Sequence, residues 1–458
     1  MDNHGQSIQQ YTERRRLVLF PLPLQGHINP MIQLANILHD KGFNITIIHT
    51  KYSCPNLSNY PHFTLHLIPD GISASEVSTT ELASVLKLLE DRCIGPFRDI
   101  LSQLSSDDSI ACIITDAIWY FTQEVADNLK IPRIVLRTSS VGSFLAYAAM
   151  PLLQDKGYLS MKDSEMDEPV VEFPPLKVRD IPRFETHDPE RVNQYLVKIV
   201  EATKKASGII FNTFKELEET ELAKLGEEFT VPAFPIGPFH KYFSASSSSL
   251  WTQDRTSISW LDAQATKSVI YVSFGSVATM HEEKLNEVAW GLANSEQPFL
   301  WVVRPGLVHG SEWLEILSKE FLELISKRGY IVKWAPQQEV LSHPAIGGFW
   351  THSGWNSTLE SICEGVPMIC SQFYGDQMVN SRYMNDTWKI GIKLEKGLER
   401  VEIETAIRKL MVGKEGEDVR RNIMSLKEKL DHSPKPGGSS YQSLDNLVDF
   451  ITSFRTPV

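Results

Sequence analysis

"GGFWTHSGWNSTLESICEGVPMIC", residues 347–370, holds a full repeat of secondary structure. The apolar run 347–352 ends at Ser353–Gly354–Trp355, "NSTLESICEG" (356–365) carries a helical pattern, and 366–370 is apolar again. Runs that are apolar throughout, instead of alternating, suit parallel strands covered on both faces. Strand, helix and strand in that order predict a doubly wound α/β domain.

The scheme extends in both directions. In the second half, strands are predicted at 268–274, 298–304, 330–334 and 390–395; the first half repeats them at 16–22, 44–50, 63–69, 110–117 and 133–139. Helical patterns lie between most of these, including 80–104. The expected architecture is two Rossmann-like, doubly wound domains facing a cleft. The first takes residues 1–240, a linker containing the serine run of "SASSSSL" takes 241–256, and the second domain takes 257–438. Serine runs bury little, hence the linker. Residues 439–458 read as an amphipathic helix packing back toward the first domain.

A chain of 458 residues, 42% hydrophobic and 22% charged, is long enough for two sizeable cores. Its net charge of −12, without a basic tract, argues against a nucleic-acid binder. Anionic ligands stay possible, because helix-start N–H groups bind them without a basic surface. The five cysteines are scattered with no C-x-x-C spacing, so they read as reduced thiols of a cytoplasmic protein. "ERRRLVLFPLPL" (13–24) imitates a signal peptide, but its apolar run is short and holds two prolines. A first buried strand is the better reading, and no apolar run is long enough for a membrane span. The sequons at Asn44, Asn56, Asn356 and Asn385 are attributed to chance. G-x-G-x-x-G, the P-loop, G-x-S-x-G, H-E-x-x-H and paired zinc spacings are all missing, which removes the commoner α/β chemistries.

Side-chain chemistry then points to residues 334–377. Asn356, Ser357 and Thr358 fall where helix caps belong, beside Gly354, which admits close backbone approach; this is a phosphate seat. Simple capping accounts for "NST" taken alone. Trp334 offers a flat face to a base, Glu360 an acceptor for ribose hydroxyls, and Asp376–Gln377 a grip on a hexose. Each also has an ordinary reading as core, solvated face or turn. In "QGHINP" (25–30), His27 sits between a glycine and a helix start, and Asp116 ends the strand 110–117. Strand ends of a parallel sheet gather at one crevice. An imidazole oriented by a carboxylate there suits general-base work, while helix start and cap are the plainer alternatives.

The whole block 334–377 resembles the signature box of plant family 1 UDP-glycosyltransferases, and the similarity continues through "QGHINP", "ITDAIWYF", "VSFGS" and "FLWVVRPG". The resemblance implies the GT-B fold, UDP-glucose as donor co-substrate and inverting transfer to a β-glucoside. It implies His27 as base with Asp116 as its orienting partner. Trp334 would stack on uracil, Gln337 would meet the ribose region and Glu360 the ribose hydroxyls, with Ala335 also among the UDP-sugar-binding residues. Gly275, Ser276, His352, Gly354, Asn356 and Ser357 would hold the diphosphate, and Trp355, Asp376 and Gln377 the sugar. A final Gln in the box accompanies glucose. Thr138 would reach sugar and acceptor. No metal is implied, since the chain lacks the D-x-D motif of the other common transferase architecture.

The acceptor pocket is expected from first-domain loops, with Gln25, Trp119, Tyr120, Ser139, Phe144, Tyr147 and Tyr374 as candidates; core packing serves the aromatics equally well. "IPRFETHDPE" (181–190), "SASSSSL" and "RPGLVHGSEW" are most similar to the plant subgroup numbered 76. A small hydroxy or carboxylic acid, such as salicylic or N-hydroxypipecolic acid, is the expected acceptor. Cytokinins, terpenoids and flavonoids are alternatives. From a different class, the rival is a non-catalytic UDP-sugar sensor. Partners are thus UDP-glucose and a small molecule, with no nucleic acid, and the chain is expected to be a monomer.

Overall fold

Thirteen strands form two all-parallel sheets in the computed structural model, which describes residues 15–54, 58–72, 82–107, 110–184, 186–243, 251–308 and 317–454. The first contains β1 (Arg16–Phe20), β2 (Asn44–Thr50), β3 (Thr64–Ile68), β4 (Ile110–Asp116), β5 (Arg133–Arg137), β6 (Gly208–Phe211) and β7 (Ala233–Pro235). Their spatial order is β3-β2-β1-β4-β5-β6-β7. The second contains β8 (Val269–Ser273), β9 (Phe299–Val302), β10 (Gly329–Val332), β11 (Ile346–Thr351), β12 (Met368–Cys370) and β13 (Gly391–Lys393), ordered β10-β9-β8-β11-β12-β13. Every residue of β4 and β11 is buried, as strands with helices on both faces require.

Strand order reverses between β1 and β4, and again between β8 and β11. Ligand crevices of open α/β sheets lie outside the carboxyl ends of strands at such points. The segments after β1, β4, β8 and β11 therefore meet across the cleft. Asp116 closes β4 itself, and the segments after β1, β8 and β11 carry His27, Gly275–Ser276 and His352.

β6 and β7 escape the sequence reading. "GIIF" is four residues long, and "AFP" ends in a proline. β7 is an edge strand, where a proline is tolerated because one face of the ladder stays unpaired. The serine run 244–250, part of "RPGLVHGSEW", Glu185 of "IPRFETHDPE" and the Asn56 sequon lie outside the described residues. The helix Ser439–Ser453 sets Leu444, Leu447 and Ile451 into the first domain's core beside Leu17 and Ile134. Arg15 donates to the Phe454 carbonyl at 2.8 Å, and Lys41 pairs with Asp445 at 2.8 Å.

A strap from the first domain is fastened to the second. Arg382 Nε donates to Asp180 Oδ2 at 2.7 Å, and Lys393 pairs with the other oxygen of the same carboxylate. All three side chains are at most 2% exposed. Arg382 also reaches Asp386 and Glu395, at 3.1 and 3.0 Å. Nearby, Arg179 donates to the Glu395 carbonyl at 3.0 Å, and the Gly375 N–H to the Arg183 carbonyl at 2.9 Å. Removing one member of a buried ionic group strands the others. Asp180→Ala is expected to cost about 3–5 kcal/mol of stability, read by denaturant unfolding. A loss under about 0.5 kcal/mol, the range of ordinary surface changes, would show that the network does not hold the domains.

Candidate active site

The helix Gln25–Asp40 starts after the short connection from β1 that holds Pro21 and Pro23, and His27 lies in its first turn. Its Nδ1 is 2.7 Å from Asp116 Oδ2 and 3.0 Å from Thr138 Oγ1. Asp116 is 1% exposed, and its Oδ1 accepts the Ile118 N–H at 2.9 Å. A carboxylate only accepts, so the Nδ1 hydrogen points at Asp116, leaving the Nε2 lone pair free. The His27 side chain is 22% exposed, enough to meet a ligand. Pro30, inside this helix, has no N–H for the Gly26 carbonyl four residues earlier. That carbonyl instead accepts Asn356 Nδ2 at 2.8 Å, joining the two domains one residue from His27.

Across the cleft, the helix Trp355–Glu364 is capped by Gly354 and not by Asn356. Asn356 and Ser357 are thus its second and third residues, and Thr358 already donates to the Gly354 carbonyl at 3.0 Å. Since Gly354 has no side chain to cap them, the N–H groups of Trp355, Asn356 and Ser357 are left for an anion. His352 lies between two glycines. A Cβ on Gly275, whose φ is +76°, would come within 2.6 Å of His352 Nε2, and one on Gly354 would overlap the same atom. Burial, with Arg304 nearby, pushes His352 down to about 4, so the ring is neutral near pH 7. Arg304 Nε donates to the Gly275 carbonyl at 3.2 Å, and another of its nitrogens reaches the Ala278 carbonyl, pinning the turn that presents Ser276.

Gln337 Nε2 donates to Glu360 Oε2 at 2.7 Å and to Ser357 Oγ at 2.9 Å, while Gln338 Nε2 reaches Glu360 Oε1 at 2.9 Å. Tyr271 Oη completes the chain on Gln337 Oε1 at 3.3 Å. Burial raises the Glu360 carboxyl, and the two amides pull it back. Each oxygen keeps a lone pair for a ligand hydroxyl. Trp334 and Ala335 line the cavity beside this group.

Asp376 and Gln377 open the helix Asp376–Arg382. Gln377 Oε1 accepts from the Phe373 and Tyr374 N–H groups at 2.9 and 3.3 Å, so its NH₂ is the end left for a ligand. Burial raises Asp376; Asn380, His27 and Arg137 oppose that shift. Asn380 joins four groups: Nδ2 donates to Asp376 and to the Ser353 carbonyl, each at 3.0 Å, and Oδ1 accepts from Ser140 and Ser143, at 2.8 and 3.1 Å.

One cavity of about 810 Å³ is lined by His27, Asp116, Thr138, Ser276, Trp334, Gln337, His352, Gly354–Ser357, Glu360, Asp376 and Gln377. Of the acceptor candidates, Gln25, Ser139, Tyr147 and Tyr374 line it as well. Trp119 does not: it is fully buried, stacked 5.0 Å from Phe20, with Nε1 donating to the Pro21 carbonyl. Phe144 is likewise buried against Phe211 and Phe229. Tyr120 faces Glu90, 2.5 Å from its oxygen, and Tyr195 takes the wall position instead. The Trp355 ring is 2% exposed, its Nε1 spent on the Asn212 carbonyl at 2.8 Å, so only its backbone meets a ligand. Gln338, Arg304, Asn380 and Tyr195 went unread. Gln338, beside Gln337 in the box, and Arg304, in "FLWVVRPG", stood in stretches that carried a signal, whereas Asn380 lies just past the box.

The family model described as "UDP-glucoronosyl and UDP-glucosyl transferase" matches residues 242–437. UDP-glycosyltransferase 76B1 of Arabidopsis thaliana is 53% identical over 96% of this chain and 98% of its own. UDP-glycosyltransferase 76C4 of the same plant is 50% identical, with 96% and 98% covered. Among solved structures, Phytolacca americana UGT2 complexed with UDP-2fluoro-glucose and pterostilbene superposes with a TM-score of 0.81. It is 29% identical, over 95% of this chain and 99% of that one.

Proposed function

The chain belongs to the plant family 1 UDP-glycosyltransferases, within subgroup 76, and from that premise we propose that it glucosylates a small hydroxy or carboxylic acid. As an enzyme of this family it moves a sugar from a UDP-sugar to small plant molecules. The donor proposed is UDP-glucose, on the strength of Gln377 and its available NH₂. The observation that carries the catalytic reading is the 2.7 Å contact of His27 Nδ1 with Asp116.

In the proposed step, His27 Nε2 takes the acceptor hydroxyl proton as the oxygen attacks C1 of glucose. The C1–O bond to the diphosphate breaks, UDP leaves with the electron pair, and the configuration inverts. Asp116 stabilises the imidazolium that forms. The N–H groups of Trp355, Asn356 and Ser357, with Ser276 and the neutral His352, would meet the charge growing on the diphosphate. Trp334 would stack on uracil, Glu360 would hold the ribose, and Asp376 and Gln377 the glucose hydroxyls. The reading uses no metal, because these groups supply the stabilisation of the leaving group.

The stretch at 181–190, with its resemblance to subgroup 76, is what favours the small-acid acceptor. The Phytolacca americana UGT2 structure, complexed with UDP-2fluoro-glucose and pterostilbene, supports a small-molecule acceptor beside a UDP-sugar. No described helix is long and apolar enough to cross a membrane. Cys93, Cys112, Cys363 and Cys370 are buried thiols outside any disulfide, which supports a reducing, cytoplasmic setting.

The test is UDP release and product mass with a panel of hydroxy acids, cytokinins, terpenoids and flavonoids against UDP-glucose, UDP-galactose and UDP-xylose. Turnover is expected to be fastest with UDP-glucose and a hydroxy acid. UDP-glucose binding without turnover of any acceptor would make the protein a sensor; a neutral acceptor as best substrate would overturn the small-acid reading.

A further inference from the structure

Arg137, the last residue of β5, lines the cavity and is 7% exposed. Its guanidinium lies 4.5 Å over the Phe144 ring, and Nη2 donates to Ser139 Oγ at 3.3 Å. Nε is buried without a hydrogen-bond partner among the described residues. Tyr147, Asp116 and Asp376 act on it only as electrostatic neighbours, and neither carboxylate comes within ion-pair distance.

The other buried arginines are provided for. Arg133 has acceptors on Thr115, Gln123, Trp119 and Ala202. Arg304 has three backbone carbonyls, and Arg382 has three carboxylates. A guanidinium carries five N–H donors, and a buried cation left unpaired is costly. Cations at the cavity rim offer no substitute. Lys87 is 37% exposed and already paired with Asp91 at 2.6 Å, and Arg191 is exposed. Such groups are screened by water and discriminate weakly.

We propose that Arg137 is the seat for a carboxylate borne by the acceptor, placed so that the acceptor's separate hydroxyl is presented to His27. The proposal rests on the small-acid reading above and sharpens it: a hydroxy acid is glucosylated on its hydroxyl, giving a β-glucoside and not a glucose ester. Recognition is a charge-assisted hydrogen bond, and the planar guanidinium can make it with both carboxylate oxygens. The donor diphosphate is held elsewhere, at the start of the helix Trp355–Glu364.

The experiment compares 2-hydroxybenzoate with 2-hydroxybenzamide as acceptors, and benzoate with benzamide as inhibitors of transfer to a neutral phenol. In the wild type, the acid is expected to exceed the amide in kcat/KM by about 30-fold, the worth of a hydrogen bond to a charged group. Benzoate is expected to compete with the phenol, and not with UDP-glucose, at least tenfold more tightly than benzamide. Arg137→Gln brings the acid-to-amide ratio close to one, and Arg137→Lys keeps part of it, with the KM for UDP-glucose unmoved in both. Equal inhibition by benzoate and benzamide in the wild type overturns the seat; so does an Arg137→Gln effect confined to UDP-glucose. If Arg137→Gln does not fold, the wild-type inhibitor pair decides. Benzoate competing while no hydroxy acid is turned over would sink the small-acid reading and leave the seat standing. Hydroxy-acid turnover with indifferent inhibitors would do the reverse.

Discussion

His27→Ala lowers acceptor glucosylation by about 10²–10⁴-fold, the range contributed by a positioned general base. UDP binding persists, because the groups offered to the nucleotide lie on the second domain and the Gly26–Asn356 contact uses the residue 26 backbone. Alanine is a strong helix former, so the helix that starts at Gln25 stands. The check pairs acceptor-dependent UDP release with calorimetric titration of UDP. Unchanged rates across several acceptors would remove His27 from the mechanism. An acceptor that reacts through an already ionised carboxylate needs less help with its proton, and its loss is expected to be smaller.

Asp116→Asn is the more searching change, because the isosteric residue is expected to do more harm than deletion. Asp116 Oδ1 accepts the Ile118 N–H, and Oδ2 faces His27 Nδ1. An asparagine must present its oxygen to Ile118, which turns its NH₂ toward Nδ1. The ring then carries its hydrogen on Nε2, the atom that has to accept a proton. The expected loss is on the order of 10³-fold or more, by the same tautomer argument that governs a serine-protease triad. Asp116→Ala leaves both tautomers available, so it retains more activity than Asp116→Asn. The opposite ranking, with both variants folded, would mean that Asp116 acts by charge alone.

Much of this was readable from single segments. Continuous apolar runs announced parallel strands at β1, β2, β4, β8, β9 and β11, because a strand covered on both faces has no polar side to display. His27 and the box 334–377 were visible because their residue types are poor choices for the core positions around them. Aromatic side chains were another matter. Trp119, Phe144, Tyr120 and Tyr147 are all aromatic and all follow first-domain strands, yet only Tyr147 reaches the cavity. Which face a side chain takes depends on how its helix or loop packs, and no local pattern carries that information. Short edge strands such as β7 fail for a related reason: three residues hold no period.

The sequence by itself determined the alternation of strands and helices, the two-domain plan and the chemical types gathered at the strand ends, all of which follow from local burial patterns. Only the tertiary structure decided the partnerships. It freed the Gly26 carbonyl through Pro30 and gave it to Asn356. It seated His352 between Gly275 and Gly354, made Asn380 a hub between the domains, and left Arg137 buried without an anion. Those contacts join residues far apart along the chain, and their geometry is set by how two sheets and their covering helices pack, which no single segment encodes.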